Sequence, residues 1–309
     1  MNRQKQIRTA LVQRATIIAS IRRFFNDNGF LEVETPVRIP APAPEAHIDA
    51  VSTDGWFLHT SPELCMKRLL SSGYERIFQI CKCFRKGERG GRHLPEMTLL
   101  EWYGAGMDYL MMMEETMHLV RYAAHAAGHG DTLAYKGKNI DLSPPWITLT
   151  VSEAFNRFSD KSLHDALAND WFDEIIAFEI EPALAGMEKP VFLCDYPLEK
   201  GALAREKKDT PEGMMPVAER FELYLFGIEL CNAFSELTDP VIQRQRFEEE
   251  LNFREKAGKS VYPMPEPFLS TLADMPESSG NALGVDRLVM IFTGAENIDG
   301  VTAFTPEEL

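Results

Sequence analysis

Two arginines at the ends of predicted elements are the strongest candidates for binding an anion. Arg85 follows the apolar run "RIFQICKCF" and begins a basic, glycine-rich loop. Arg287, in "GVDRLVM", lies where a predicted strand passes into a helix. A guanidinium fixed at such a position can grip a phosphate through its rigid fork of donors. Two arginines that converge from different elements therefore predict a polyphosphate site, such as one for a triphosphate.

A pair of glutamates suggests a metal ion beside those phosphates. Glu222 and Glu229 are seven residues apart in "ERFELYLFGIEL". Side chains an odd number of positions apart point to opposite faces of a regular strand. Both can therefore reach one ion only if the strand is interrupted, and Gly227 is a candidate turn or bulge. One or two carboxylates plus substrate phosphates is the usual arrangement around Mg²⁺.

A second group of acids predicts an amine site. It comprises Glu63, Glu101 and Glu236, together with Tyr103, and each glutamate taken alone is most simply a solvated side chain. Glu101, however, lies within the apolar run "TLLEWY" and shares a strand face with Tyr103. Burying a carboxylate is costly without a cationic partner, which a cationic ligand would supply.

The elements that must position these residues follow an α+β order. A helix is predicted over residues 4–28, with Gly29 as its left-handed cap. Ser61 and Pro62 are expected to open a second helix. Strands are predicted for "FLEVETP", "GWFLHT", "RIFQICKCF", "EMTLLEWYGAG", "PVFLCDYP" and, as one or two strands, "MPVAERFELYLFGIELCNAFSEL". The stretches "YLMMMEETMHLVRYAAHAAG" and "VIQRQRFEEELNFREKAG" read as helices, and "GNALGVDRLVM" as a strand entering a helix.

This order predicts a mostly antiparallel sheet rather than an alternating βαβ domain. Neither G-x-G-x-x-G nor a Walker A sequence is present, so a nucleotide needs another cradle.

The charge of the chain limits its partners. With 47 acidic and 32 basic residues, the formal net charge is −15, which makes the chain a poor general nucleic-acid binder. The basic residues Arg85, Lys86, Arg89, Arg92 and His93 are nevertheless concentrated in one loop. Such a loop suits a small phosphorylated ligand or an acidic patch on a partner, and the alternative is a solvated loop.

Length, hydropathy and cysteines indicate a cytosolic protein. The 309 residues could form one large domain or two average ones, and 45% of them are hydrophobic, enough for a sizeable core. No apolar run is long enough to span a bilayer, and no signal peptide is evident. Cys81 and Cys83 are expected on opposite faces of their strand, a poor metal pair, so the five cysteines are interpreted as reduced structural thiols.

Five segments of the chain resemble the class II aminoacyl-tRNA synthetases. "NGFLEVETPVRIPAP" is similar to motif 1, "FRKGERGGRHLPEMTLLEWY" to motif 2 and "GNALGVDRLVM" to motif 3, in the right order and across nearly the whole chain. "TSPELCMKRLL" and "ERFELYLFGIELCNAFSELTD" further resemble the lysine-specific branch. The resemblance implies one catalytic domain over residues 1–309, with a mostly antiparallel six-stranded sheet flanked by helices. Because the first residues already correspond to the motif 1 helix, no anticodon-binding domain is expected.

Two pocket positions resemble the short lysyl-tRNA synthetase paralogues that act as elongation factor P–lysine ligases. The synthetases usually have alanine where this chain has Ser61, and glycine where it has Ala282. An added hydroxyl and an added methyl would reshape the pocket for a lysine isomer with a displaced amine, such as (R)-β-lysine.

The resemblance implies roles for matching residues. Arg85 would contact the α-phosphate and the amino acid carboxylate, Arg287 the γ-phosphate, and Glu222 and Glu229 would hold Mg²⁺. Glu63 would contact one substrate amine, and Glu101, Tyr103 and Glu236 the other. The remaining implied contacts are Ser61, Pro62, Asn232, Phe234 and Ala282 for the amino acid, and Lys86, Gly87, His93, Leu94, Met97, Glu229, Leu230 and Gly284 for ATP.

The chain departs from the family pattern in the motif 2 loop. Arg-x-Glu of the family reads Arg85-Lys86-Gly87, with Glu88 one place late. Met97 replaces the usual adenine-stacking phenylalanine, Leu94 an asparagine, and Ala233 a glycine. These changes bear on adenine recognition rather than on the phosphate or lysine ends.

The implied reaction is an ATP-dependent, AMP-forming ligation. A lysine-type amino acid, α-lysine or (R)-β-lysine, would be activated as its adenylate and transferred to a lysine side chain of translation elongation factor P. No covalent enzyme intermediate is expected, because no cysteine or serine is placed with a base. A cytoplasmic homodimer that binds no membrane is expected. Two alternatives are a lysyl-tRNA synthetase-like enzyme that makes the adenylate or charges tRNA, which the acidic charge disfavours, and an inactive regulatory paralogue.

Overall fold

The computed structural model of the protein describes residues 3–208, 210, 213 and 215–309. Its α-helices in this part of the chain are α1 Arg3–Gln6, α2 Arg8–Asp27, α3 Glu63–Ser71, α4 Tyr109–Ala126, α5 Val151–Phe158, α6 Leu163–Ala168, α7 Phe172–Ile175, α8 Glu181–Leu184, α9 Pro240–Lys256, α10 Glu266–Leu269 and α11 Val285–Thr293. A π-helical turn covers Ile176–Ile180, and 3₁₀ turns cover Leu198–Lys200, Leu272–Asp274, Ile298–Val301 and Pro306–Glu308.

The strands are β1 Leu31–Glu32, β2 Arg38–Ile39, β3 Val51–Thr53, β4 Trp56–Leu58, β5 Arg76–Phe84, β6 Glu96–Ala105, β7 Thr132–Tyr135, β8 Lys138–Asp141, β9 Ile147–Thr150, β10 Val191–Pro197, β11 Val217–Leu225, β12 Ile228–Ser235 and β13 Ser278–Gly284. None of the helices in the described ranges is both long and apolar enough to cross a membrane.

The main sheet has the order β1-β5-β6-β13-β12-β11-β10-β9. Its six central strands, β5 to β10 in that order, are antiparallel, while β1 and β9 pair in parallel at the two edges. The predicted α+β class and mostly antiparallel sheet are therefore confirmed. The expected strand number was wrong, because the main sheet has eight strands rather than six in the described part of the chain. The strand predicted at "FLEVETP" is present as the edge strand β1, over two residues only, and the other edge strand, β9, has four residues, too few for a clear alternating pattern.

One face of the sheet rests on the main hydrophobic core. Phe78 and Trp102, neighbours on β5 and β6, belong to this core and are fully buried, as is Phe25 of α2. The ring of Phe25 stacks on Phe78 at a centroid distance of 4.7 Å and lies 5.4 Å from Trp102. Buried residues of α4 and α11 complete this layer. Large apolar side chains thus fix the helices on one face and leave the alternating residues to the other face.

The opposite face carries the predicted site residues in transverse rows. Residues directly opposite in an antiparallel ladder lie on the same face. The register places five side chains in one row across five strands: Gln79, Glu101, Ala282, Asn232 and Glu222. The next row contains Ile77, Tyr103, Gly280, Phe234 and Arg220. The predicted amine and metal residues therefore share one surface.

The strand interruption expected at Gly227 is present as a tight hairpin. Phe226 and Gly227 connect β11 to β12 with φ angles of 54° and 67°. A Cβ on Gly227 would lie 2.4 Å from the carbonyl oxygen of Glu181, so only glycine fits this turn. The register also shifts between Leu223 and Tyr224. Turn and shift together allow Glu222 on β11 and Glu229 on β12 to line the same cavity.

The expectation for Cys81 and Cys83 was wrong. Residues two apart in a strand share a face, and the two Sγ atoms lie 3.8 Å apart. Cys83 also lies beside an imidazole, with its Sγ 3.9 Å from His59 Nε2, contrary to the expectation that no cysteine is placed near a base. All five cysteines are free thiols.

Candidate active site

A cavity of about 300 Å³ lies over the rows at the β6–β13–β12 end of the sheet. It brings together the predicted phosphate, metal and nucleotide residues Arg85, His93, Leu94, Met97, Glu222, Glu229, Leu230, Gly284 and Arg287, and it also contains Asn232 and Ala282 from the predicted amino acid set. A wider groove of about 690 Å³ runs beside α9, but its charged lining is mostly acidic, and Arg246 is its one arginine among the described residues. The smaller cavity is therefore the one suited to an anionic ligand.

Arg85 has an unused donor in this cavity. Its backbone leaves β5 and is held by a hydrogen bond from its N–H to the carbonyl of Pro95 at 2.9 Å. Its guanidinium has a loose ion pair with Glu88 at 3.8 Å, and its Nε is buried without a hydrogen-bond partner in the described part of the chain. A buried donor without an acceptor is unfavourable, so an anionic ligand would be stabilised here.

The turn before Glu88 explains how the altered loop still lines the site. Lys86 and Gly87 form an exposed turn, and Gly87 has a φ of +80°. This turn absorbs the extra residue relative to the family pattern and brings Glu88 to the cavity wall. Lys86 and Gly87, predicted to contact ATP, are not among the residues that line the cavity.

Arg287 is positioned by its helix and is occupied by protein partners. The preceding residue, Asp286, accepts the backbone N–H of Thr98 at 2.7 Å and pairs with Arg14 at 2.6 Å, which anchors the start of α11. Arg287 contacts Glu229 through Nη1 at 3.1 Å and His93 Nε2 through Nη2 at 2.6 Å. Since Arg287 donates to His93, that imidazole is neutral; burial and the Arg287 charge both lower the pKa of His93.

The two predicted metal ligands differ in their surroundings. Glu222 accepts hydrogen bonds from Tyr196, Tyr224 and Arg220, each at 2.6 Å. Burial raises the pKa of Glu222, and Glu229 adds to the rise although Arg220 opposes it. Burial alone would raise the pKa of Glu229, but Arg287 outweighs it and holds that pKa below its ordinary value.

A third carboxylate shows that negative charge accumulates near this pair. Burial, and then the Glu229 charge, raise the pKa of Glu181 to about 7. Carboxylate oxygens that crowd one wall of a polar cavity form a ligand set suited to Mg²⁺. The residues therefore fit such an ion, which would relieve the repulsion between Glu222 and Glu229.

At the other end of the rows, a buried lysine bridges two of the predicted amine ligands. Lys67 on α3 is 1% exposed, and its Nζ lies 2.5 Å from carboxylate oxygens of both Glu63 and Glu236. It also lies 4.9 Å from the centre of the Phe234 ring. Burial would lower the pKa of Lys67, but Glu236 and Glu63 raise it above its ordinary value, so the ammonium stays charged. The sequence reading missed Lys67 because a lysine in an amphipathic helix is usually solvated.

Glu101, the third acid at this end, is hydrogen-bonded at both of its oxygens, whereas Glu236 Oε1 is buried without a hydrogen-bond partner in the described part of the chain. Ser61 donates to one oxygen of Glu101 at 2.5 Å and Tyr103 to the other at 2.9 Å. Ser61 also accepts the backbone N–H of Glu63 at 3.0 Å, so its hydroxyl ties the start of α3 to the sheet. Burial and the nearby Glu63 charge raise the pKa of Glu101 to about 8. Glu101 is therefore mostly protonated at neutral pH until a cation approaches.

Gly280 makes room for Tyr103 and Glu236 at this end of the site, and the sequence did not indicate this role. A Cβ at this position would lie 2.2 Å from the Tyr103 ring and 2.6 Å from a Glu236 oxygen. Glycine lets the β13 backbone run directly beneath both groups.

Asn232 and Ala282 join the two ends. Both lie in the row that contains Glu101 and Glu222, and both line the cavity. Asn232 Oδ1 accepts from Arg220 Nε at 2.9 Å, and Arg220 donates to Glu222 in turn. Arg220 is a further residue that sequence reasoning missed. Pro62 lies directly before α3, whose first residue is Glu63, so the predicted helix start is one position early.

The chain is similar to proteins of one family along nearly its whole length. The family model described as tRNA synthetases class II (D, K and N) matches residues 1–308. A lysine–tRNA ligase of Magnetococcus marinus is 35% identical over 325 residues, which cover 97% of this chain and 64% of that protein. A lysine–tRNA ligase of Clostridium novyi is 33% identical over 328 residues, with 97% and 63% covered.

A shorter relative matches over nearly all of both chains. An elongation factor P–(R)-β-lysine ligase of Avibacterium paragallinarum is 38% identical over 314 residues, which cover 96% of this chain and 95% of that protein. The chain thus spans less than two thirds of the length of the two lysine–tRNA ligases.

Proposed function

Because the chain belongs to the class II tRNA synthetase family (D, K and N), we propose that it activates a lysine-type amino acid with ATP and transfers it to a lysine side chain of translation elongation factor P. The observation that carries this proposal is the two-ended site on one sheet face. An arginine-lined cavity adjoins a buried acidic pocket, and the row Glu101–Ala282–Asn232–Glu222 connects them.

The charges of the acidic pocket match a diamine. Lys67 lies between Glu63 and Glu236 and compensates one negative charge. Burial raises the pKa of Glu236 to about 8, although Lys67 opposes the rise, so Glu236 can also ionise fully when a cation binds. Glu101 can ionise when a cation binds, because its pKa of about 8 is close to neutrality. The pocket can thus present two net negative charges to the two ammonium groups of a lysine isomer. Its single carboxylate would extend toward Arg85.

In the first step, the amino acid carboxylate attacks the α-phosphate of ATP and pyrophosphate leaves. Arg85 would hold the α-phosphate and the attacking carboxylate, and Arg287 would leave Glu229 and His93 to bind the γ-phosphate. These contacts act by positioning and by stabilising the charge that develops in the transition state. Glu222 and Glu229 would hold Mg²⁺, which when bound would neutralise phosphate charge.

In the second step, the ε-amine of the acceptor lysine attacks the mixed anhydride and AMP leaves. The acid–ammonium contacts keep the activated amino acid in place while its carbonyl faces the open cavity. Cys83 is not expected to act as a nucleophile here. His59 donates its Nε2 proton to the carbonyl of Lys82 at 2.7 Å and so cannot accept a proton from the thiol at that nitrogen.

Two observations favour (R)-β-lysine over α-lysine. The hydroxyl of Ser61 contacts Glu101, and Ala282 is the direct cross-strand neighbour of Glu101. Both differences from the usual synthetase residues therefore lie beside the acid that would receive an amine. The Avibacterium paragallinarum relative, which aligns over 95% of its length, is named for this substrate and acceptor.

Two further candidate functions remain distinct from this one. Similarity to the lysine–tRNA ligases favours transfer to tRNA, although the net charge of −15 opposes binding of a polyanion. An inactive regulatory paralogue is favoured by Met97 and by the altered loop at Gly87. The free donor of Arg85 argues for ATP binding instead.

We also propose that the protein is a cytoplasmic homodimer. The outer face of α2 forms a shallow groove lined by Ala15, Ile18 and Ala19 together with Arg22, Arg23, Asn26 and Asp27, and Val12 on the same helix is 61% exposed. Exposed apolar residues on the helix that precedes motif 1 support pairing with a second copy. Sedimentation of the purified protein would measure the assembly state, and a monomer at micromolar concentration would contradict it.

Pyrophosphate exchange tests the activation step. The purified protein should catalyse ATP–pyrophosphate exchange with (R)-β-lysine, and more weakly with α-lysine. Exchange with neither isomer would rule out both enzyme functions.

Mass spectrometry of the acceptors then tests the transfer step. Elongation factor P should gain the mass of one amino acid residue, whereas a variant with its acceptor lysine changed to arginine should not. A mass gain on tRNA alone would overturn the proposed acceptor while leaving the activation step intact.

A further inference from the structure

Three soft ligands meet on the floor of the site, between its two ends. Cys81 and Cys83 lie on the site face of β5, opposite Leu99 and Met97 of β6. His59, directly after β4, reaches over them. The ligand atoms of the three residues all lie within 4.8 Å of one another. Cys83 and His59 are 0% and 1% exposed, while Cys81 is partly exposed.

The spacing of the two thiols matches a tetrahedral metal ion. With metal–sulfur bonds of about 2.3 Å and metal–nitrogen bonds of about 2.0 Å, tetrahedral angles place the two sulfurs about 3.8 Å apart and sulfur and nitrogen about 3.5 Å apart. The protein has 3.8 Å between Cys81 Sγ and Cys83 Sγ, and 3.9 Å between Cys83 Sγ and His59 Nε2.

A disulfide fits this geometry less well. Its sulfurs must approach to about 2.05 Å, and its Cα atoms lie at most about 6.8 Å apart. Two residues of an extended strand are separated by roughly 6.6 Å, close to that limit. The strand would have to deform to close a disulfide, whereas a metal ion needs little change in the thiol positions.

The protonation states also suit metal binding. The hydrogen bond from Cys83 has the largest effect on Cys81 and, with His59, outweighs burial, so the pKa of the Cys81 thiol falls to about 6. The contact with Cys81, and then burial, raise the pKa of Cys83 well above its ordinary value, so a metal ion would displace that proton to solvent. The His59 ring would give up its hydrogen bond to the Lys82 carbonyl and rotate, so that Nε2, with the proton now on Nδ1, directs its lone pair at the ion.

We propose that His59, Cys81 and Cys83 form a binding site for a thiophilic d¹⁰ metal ion such as Zn²⁺, with one coordination position left for solvent. Thiolate and imidazole ligands select such ions and disfavour Mg²⁺. The site is therefore separate from the carboxylate pair Glu222 and Glu229. It does not depend on which amino acid or acceptor the protein uses.

Cobalt titration of the fully reduced protein tests this site directly. Adding Co²⁺ alone should produce a thiolate-to-cobalt charge-transfer band together with the intense visible bands of a tetrahedral complex. Zn²⁺ should abolish both, and Mg²⁺ should change neither. Absence of the charge-transfer band, or bands typical of an octahedral complex, would overturn the proposal.

Variants identify the ligands. Cys81→Ser and Cys83→Ser should each lower the charge-transfer band to about half or less, the double variant should abolish it, and His59→Ala should weaken Co²⁺ binding roughly tenfold or more. Cys65→Ser is the matched control, because Cys65 is a free, partly buried thiol on α3 and should leave the titration unchanged. A band of unchanged intensity in Cys81→Ser or Cys83→Ser, or any band in the double variant, would refute the assignment.

Protection from alkylation tests the wild-type chain without any variant that might fail to fold. Iodoacetamide labelling followed by peptide mass spectrometry should show that Zn²⁺ slows modification of Cys81 at least about tenfold, while Cys65 reacts at an unchanged rate. Equal labelling of Cys81 with and without Zn²⁺ would overturn the site.

Discussion

The two ends of the site differ in how far the protein satisfies its own charges. At the amine end, Lys67 contacts Glu63 and Glu236 at 2.5 Å, and Glu101 has hydrogen bonds to both oxygens, although Glu236 Oε1 is buried without a hydrogen-bond partner among the described residues. At the phosphate end, Arg85 has only a 3.8 Å ion pair and a buried Nε without a hydrogen-bond partner among the described residues. The acids at the amine end are thus held by partners within the protein, and we call it the closed end. Arg85 at the phosphate end lacks such partners, and we call it the open end.

This difference indicates how each ligand would bind. The amine pocket can accept a diamine without moving its acids, because Lys67 already holds two of them in place. The phosphate cavity must exchange partners, because Arg287 bonds to Glu229 and His93 in the structure. Preorganised contacts favour selectivity, and exchangeable contacts favour a charged ligand that enters and leaves in each cycle.

The largest effect is expected at the closed end, from Lys67→Met. This change removes the ammonium and leaves two carboxylates facing each other, and breaking a buried ion pair from one side costs about 3–5 kcal/mol. The free energy of unfolding, measured by urea denaturation, should fall by that amount.

Two variants serve as references for Lys67→Met. Lys82→Met changes a lysine near the end of β5, whose side chain is 48% exposed, and should be close to neutral. Adding Glu236→Gln to Lys67→Met should recover part of the loss, since one of the unpaired charges is removed. Wild-type stability in Lys67→Met would show that the amine end is not held together by this cation.

At the open end, Arg85→Ala should act on catalysis rather than on stability. Losing one preorganised donor to the α-phosphate should lower ATP–pyrophosphate exchange roughly 10²–10³-fold. The fold should remain, because Arg85 has few protein contacts to lose.

A diamine, which lacks a carboxylate, tests the amine end separately from the phosphate end. Arg85→Ala should bind 1,5-diaminopentane as the wild type does, since this diamine occupies only the amine end. Lys82→Ala provides the matched control for exchange. Normal exchange in Arg85→Ala would refute its phosphate role, and loss of diamine binding would show that the two ends are not separable.

A site residue could be predicted from the sequence when its type was unusual for the segment around it. Arg85, Arg287 and Glu101 are charges at the ends of apolar runs or within them, and burial makes such charges expensive, so they stood out. Gly227 indicated the β11–β12 turn because a glycine within a strand pattern suggests a turn or a bulge. The central strands β5 and β6 were identified because nine or ten residues give a clear pattern.

Other features had no local signal. Lys67 looks like a solvated helix residue, and only the fold shows that α3 lies over Glu236. Gly280 is one glycine in a strand, and its importance depends on Tyr103 crossing above it. The strand predicted at "FLEVETP" is present as the short edge strand β1, whereas the role of β9 as the other edge is defined by its parallel pairing with β10 rather than by its own composition.

A smaller effect is expected from pH, because the acid at the closed end must ionise. Glu101 has a pKa of about 8 in the free protein and is mostly neutral below it. A bound ammonium favours the ionised form, so binding releases a proton and affinity rises with pH until about 8, by up to about tenfold per pH unit. Calorimetry of lysine binding in buffers of different ionisation enthalpy measures this proton.

The control for the pH effect is Glu101→Gln, which has the same shape and cannot ionise. It should bind more weakly and show a smaller pH dependence between about pH 6 and 8, because Glu236, whose pKa is also raised to about 8, still titrates there. Uptake of a proton, or affinity independent of pH in the wild type, would mean that Glu101 is already ionised and that the closed end is fully charged before the ligand arrives.

The smallest effect is expected where the two ends meet, at Ala282. Its methyl group lies between Glu101 and Asn232 in the same row, so Ala282→Gly enlarges the space beside the acid. The ratio of kcat/KM for α-lysine to that for (R)-β-lysine should rise roughly fivefold, which corresponds to about 1 kcal/mol, an effect expected of one methyl group in a pocket.

The control is Ala233→Gly, at a fully buried position on the core face of the adjacent strand. It makes the same backbone change and should lower stability without changing the ratio. If the ratio is unchanged in Ala282→Gly, the isomer is selected elsewhere, and Ser61, whose hydroxyl bonds to Glu101, becomes the position to test.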